Sequence, residues 1–75
     1  MKTLFECNID DKVRVKKINA PKELKQRLIS FGVIKGAIIE ILTQAPAKKT
    51  IEIKVSKMRI GLRGEEAKMI EVEKI

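Results

Sequence analysis

Cys7, the acidic pairs Asp10-Asp11 and Glu65-Glu66, and a scatter of lysines and arginines are the side chains of this sequence that could do chemistry. A thiol and carboxylates bind metals only as a set at suitable spacing. Cys7 has nothing to join it, because the chain holds one Cys and no His; a lone thiol reads as structural. Each acidic pair lacks a third and fourth oxygen ligand, and carboxylates alone hold a divalent transition metal weakly and with little selectivity. No metal site and no cofactor are expected. Without an imidazole, Ser30, Thr50 and Ser56 have no base to activate them. Gly32, Gly36, Gly61 and Gly64 fall at turns and within a strand, not in a phosphate loop. No catalytic residue can be assigned, and the chain reads as a non-enzyme.

What remains is positive charge. The sequence carries 17 Lys and Arg against 10 Asp and Glu, a net charge of +7. Arg59 and Arg63 share one face of an alternating strand, Lys48 and Lys49 sit in a loop, and Lys57 lies at a hairpin. These five residues form the candidate partner-binding surface. Such a surface suits either an acidic protein patch or nucleic acid. Single-stranded nucleic acid usually also needs aromatic platforms. There are only two Phe and no Trp or Tyr. Phe31 is expected in the core and Phe5 stands alone, so a protein partner is preferred. Gly61 stands out inside its strand, where glycine often marks a bend or a close backbone approach.

The elements that must position these groups follow from periodicity. Val13 and Val15 alternate with Arg14 and Lys16, predicting a strand over Lys12–Ile18 after a weakly patterned start. Pro21 fits the first position of a helix whose Leu24, Leu28 and Phe31 form one stripe, and Gly32 suits its C-terminal cap. Ala37–Thr43 is a β-prone run apolar enough to be covered on both faces. Ala45–Lys49 reads as an exposed loop. Ile51, Ile53 and Val55, then Met58, Ile60 and Leu62, predict two strands joined by a tight Ser56-Lys57 hairpin. Gly64–Met69 suggests one helical turn and Ile70–Ile75 a last strand.

Seventy-five residues hold one domain, spanning 1–75, with little room for a deep pocket. About five short strands with one helix after the first and a helical turn before the last close most easily into a small barrel, which removes exposed edges. One cysteine gives no internal disulfide. There is no apolar leader and no run near the roughly 20 residues that span a bilayer. A cytoplasmic protein with no direct membrane insertion is expected.

The ordered residues resemble a known family. Arg27-Leu28, Phe31-Gly32-Val33-Ile34, Gly36, an alternating strand and Ala45-Pro46, followed by Ile60-Gly61-Leu62-Arg63 and Glu66-Ala67, are similar to the FeoA family of ferrous iron transport proteins. The resemblance runs from about Val13 to Val72. It implies a mainly β, SH3-like barrel and a cytosolic, regulatory companion of FeoB, a membrane Fe(II) transporter with a cytoplasmic GTPase domain. A similar domain ends some iron-dependent repressors. A nucleic-acid-binding barrel and a dimerising module of a metal-responsive system are therefore the alternatives. Where the family usually has Pro or Gly, this chain has Lys35, Lys57 and the Ala47-Lys48-Lys49-Thr50 stretch, which makes its loops more basic.

Overall fold

In the computed structural model, which describes residues 2–75, β-branched residues at alternate positions give six strands. They are β1 (Lys2–Thr3), β2 (Lys12–Ile18), β3 (Ile38–Gln44), β4 (Thr50–Val55), β5 (Met58–Arg63) and β6 (Ile70–Lys74). Helix α1 (Lys22–Ser30) follows β2, and a single turn, α2 (Gly64–Ala67), precedes β6. All pairings are antiparallel, in one sheet of order β1-β6-β2-β3-β4-β5. Register shifts between Val15 and Lys17 and between Ile41 and Thr43 mark bulges, which bend strands and let a sheet curl. The chain measures 28 × 26 × 24 Å, so the sheet is rolled rather than flat. Its concave face encloses Val13, Val15, Ile39, Ile41, Ile51, Ile53, Ile70 and Val72 in one cluster, and no polar or charged residue among those described is buried there.

The sheet stays open between its edge strands, β1 and β5. That seam accounts for the first correction. Residues 2–8, read as a weakly patterned start, are structured. Lys2 and Thr3 pair with Val72 and Glu71 as a sixth strand, and the 3-10 turn Leu4–Glu6 drives Leu4 and Cys7 fully into the core. Leu4 and Cys7 lie three apart, a helical spacing too short to register as a period. This turn packs on α2 across the seam.

Helix α1 follows its predicted stripe. Leu28 is 0% exposed, while Leu24 and Phe31 pack against the core from its rim. Pro21, with ψ 155°, is the residue just before the helix rather than its first member. The end is a Schellman motif. Gly32 at φ +93° donates its N–H to Ile29, and Val33 donates to Leu28. The left-handed turn is why glycine stands there. One further expectation changes. In β3 only one face is covered, since Ile38 is exposed and Ile39 buried. The Ala45–Lys49 loop is exposed at Pro46, Ala47 and Lys49 and turns tightly through Ala47 and Lys48, at left-handed φ of 60° and 54°.

Candidate docking surface

The interior is filled by aliphatic side chains, so any partner meets the outside. Among the described residues no three His, Cys, Asp or Glu gather in a group that could hold a metal ion. Cys7 is fully buried, and burial pushes its thiol pKa up, away from the reactive thiolate. The acids serve turns. Asp11 accepts the Asn8 N–H at 2.8 Å, and Glu66 accepts the Arg63 N–H at 2.9 Å.

Of the five basic candidates, Lys48, Lys49 and Arg63 line one shallow cavity beside Phe5, and Lys57 and Arg59 lie outside it. Arg59 and Arg63 lie on the outer face of β5, opposite Lys54 and Thr50 of β4. Lys57 is exposed in the two-residue hairpin, whose first residue, Ser56, takes the left-handed φ of +57° that such turns use. Lys49 is exposed in the turn before β4. Lys48 is tied into the fold as well as lining that cavity. It is half-buried, and its Nζ donates to the carbonyls of Phe5 at 2.8 Å and Cys7 at 3.2 Å. It ties the N-terminal turn to the β3–β4 connection. The nearby Gly64 N–H bonds the Lys49 carbonyl at 2.9 Å, and a Cβ on Gly64 would collide with the Lys48 carbonyl and come within 2.9 Å of the Phe5 ring. Gly64 is thus the glycine required by close approach. Gly61, expected to play that part, has nothing within 4 Å of where its Cβ would stand.

Beside β5 runs a groove of about 580 Å³, with α1 as its far wall. Leu28 and Phe31 from the helix and Ile60 and Leu62 from the strand line it, and Arg27, Arg59 and Arg63 stand along it. Glu66 closes one end. Its second carboxylate oxygen lies 2.7 Å from Arg27 Nη2, a hydrogen-bonded ion pair joining α2 to α1. Arg27 is therefore a positioned member of this surface.

A second groove, of about 600 Å³, lies between α1 and β2. Lys16, Lys17, Lys25 and Lys35 stand around Ile29 and Ile34, which are 45% and 48% exposed. Reasoning from the sequence passed over these isoleucines. Ile29 lies off the Leu24, Leu28, Phe31 stripe, and that offset was the available signal.

A family model described as FeoA domain matches residues 2–74. The curated Fe(2+) transport protein A of Campylobacter jejuni is 38% identical over 73 residues, covering 97% of this chain and 99% of that protein. The solution structure of FeoA from Chlorobium tepidum superposes with a TM-score of 0.93 at 28% identity, over 99% of this chain and 70% of that one. FeoA of Stenotrophomonas maltophilia, solved with zinc and described as a prokaryotic SH3 domain protein, gives a TM-score of 0.85 at 25% identity, over 97% and 91% of the two chains. The six-stranded sheet is accordingly an SH3-like fold, and a match to nearly every described residue identifies the chain as a member of the FeoA family of ferrous iron transport proteins.

Proposed function

We propose that this chain is a non-catalytic accessory protein of ferrous iron uptake, acting in the cytoplasm by binding the cytoplasmic part of a FeoB-like membrane transporter. The observation that carries this reading is a core whose buried residues are all apolar, beneath a basic β5 edge. Small barrels with side-chain-filled interiors engage partners through their loops and outer faces. No helix among the described residues is long and apolar enough to cross a membrane. Arg59, Arg63, Lys57 and Lys49 favour an acidic partner and a complex that weakens as salt rises.

Phe5 also favours a protein over nucleic acid. Its ring is approached by Lys48 Nζ at 5.4 Å and Lys68 Nζ at 4.6 Å, so it is occupied by cation–π contacts rather than open for a base to stack.

The test is titration of the transporter's cytoplasmic portion with this chain, without nucleotide and with GDP or a GTP analogue. A salt-sensitive complex in the micromolar range is expected, as for a transient regulatory contact. Absence of binding in every nucleotide state would overturn the proposal.

A further inference from the structure

β5 is an edge strand whose outer backbone groups are open. Val55 and Met58 face each other across the hairpin. In a two-residue hairpin that pair exchanges backbone hydrogen bonds, and bonded pairs recur at every second residue. Met58, Ile60 and Leu62 thus bond β4, while Arg59, Gly61 and Arg63 direct their N–H and C=O groups away from the sheet. The Arg63 N–H confirms this direction, because it meets the Glu66 carboxylate at 2.9 Å. No hydrogen bond from the described residues reaches the outward groups of Arg59 and Gly61, and both residues are exposed. The groove against α1 runs alongside them.

Deepening the docking reading above, we propose that the β5 edge takes up an extended, acidic segment of a partner protein as an added strand. Three features select this occupant. Gly61 puts no side chain on the outer face of the edge, so the side chains of an added strand meet no bulk beside it there. Arg27, Arg59 and Arg63 place positive charge along the groove, and Glu66 already occupies one end of it with a carboxylate on an outward N–H and an arginine. The same arginines repel a second copy of this edge, as charges on edge strands do, while attracting an acidic one. Main-chain bonds then give affinity, and the arginines give specificity.

The experiment uses the ¹⁵N-labelled chain and the capped peptide acetyl-Glu-Val-Glu-Val-Glu-amide. Three control peptides are used: one carries Lys for Glu, and two carry N-methyl groups on alternate amides, one in each register. The peptide is expected to shift the Arg59 and Gly61 amide signals and slow their hydrogen exchange. Loss of one or two backbone bonds is worth about tenfold in affinity. The N-methylated peptide with its methyl groups toward β5 should bind that much more weakly, and the Lys peptide should not bind.

The variant Gly61→Pro removes an outward donor on an edge strand, where proline is tolerated, and should weaken the peptide to a similar degree. If it fails to fold, the N-methylated peptides still decide. Equal binding by methylated and unmethylated peptides, shifts centred on Ile29 and Ile34, or no shift at millimolar peptide would each overturn strand addition. So would a concentration-dependent dimer dissolved by Gly61→Pro, because a second copy would then own the edge. A transporter complex without peptide pairing would leave the docking reading standing and remove only this mode. Peptide pairing without a transporter complex would do the reverse.

Discussion

Two grooves flank helix α1, nearly equal in volume at about 580 and 600 Å³ and alike in positive sign, yet built from different chemistry. Against β5 the floor is core, with Leu28 and Leu62 buried, and the charges are arginines. Against β2 the floor is Ile29 and Ile34, about half exposed, and the positive charges are lysines, with Glu71 of β6 among them. All three ion pairs among the described residues use an arginine: Arg14–Glu73, Arg27–Glu66 and Arg63–Glu65. None uses a lysine. The backbones differ too, because β2 is bonded on both sides, by β3 and β6, while β5 has a free edge. A planar guanidinium beside open N–H and C=O groups sets directions, whereas ammonium groups around apolar surface set only a field. Size and charge alone would rank the grooves equally; geometry separates them.

The sharpest way to break this comparison is at the floors. Leu28→Asp puts a carboxylate into the helix–barrel contact with no partner for it. The cost should exceed about 4 kcal/mol, most of the stability expected of so small a domain. Ile34→Asp changes an exposed side chain and should stay within about 0.5 kcal/mol. Urea melts of the two variants give the comparison. A cooperative transition for Leu28→Asp near that of the parent would mean that the two floors are alike.

The next test concerns the rims. Reversing charge at Arg59 and Arg63 together should weaken the transporter complex by tenfold or more, about 1.4 kcal/mol, with the melting temperature unchanged. Arg63 is 77% exposed at its side chain, and its 3.9 Å approach to Glu65 contributes little. Reversing Lys16 and Lys25 should alter the association rate and its salt dependence more than the dissociation rate. Stopped-flow association at two salt concentrations separates these outcomes. A larger loss from the lysine pair would move the docking surface to the other side of α1.

A third test exposes how much of this molecule its sequence foretold. Alternation of Ile and Val with charges located β2 to the residue and β4 apart from its first residue, Thr50, and the Leu24, Leu28, Phe31 stripe with Gly32 located α1. These are local signals of period and turn. Lys48 and Lys49 look the same in sequence and behave differently, since only Lys48 reaches back to the carbonyls of Phe5 and Cys7, some 40 positions away. No local pattern carries such a contact. The sixth strand and the buried Leu4 and Cys7 were hidden for the same reason, because their partners come from the far end of the chain. Lys48→Ala leaves the Phe5 carbonyl without its donor, while the Cys7 carbonyl keeps the Gln44 amide at 2.7 Å, and it loses the cation–π contact, at a cost of about 1 kcal/mol. Lys49→Ala should be near neutral. Thermal melts of the two single variants check this, and equal effects would mean that the Lys48 tie has no energetic consequence.

The smallest effect expected comes from Glu66, which binds the β5 side of the comparison together. One carboxylate oxygen takes the Arg63 N–H at 2.9 Å and the other meets Arg27 at 2.7 Å. The Glu66 side chain is only 16% exposed, against 56% for Arg27, so the pair is partly shielded. Glu66→Gln preserves one acceptor but not both, because its amide oxygen can face Arg63 or Arg27 and its NH₂ must face the other. Exposed pairs give up to about 1 kcal/mol, and this one sits near the upper end because a neutral donor and a charged donor share one carboxylate. The loss should shrink as salt rises, whereas the cost of losing the Arg63 bond should not. Measuring stability of Glu66→Gln and Glu66→Ala at low and high salt divides the two contributions. Where the alanine variant costs no more than glutamine at any salt concentration, the cap on Arg63 is idle, and only the Arg27 pair fixes the groove wall relative to β5.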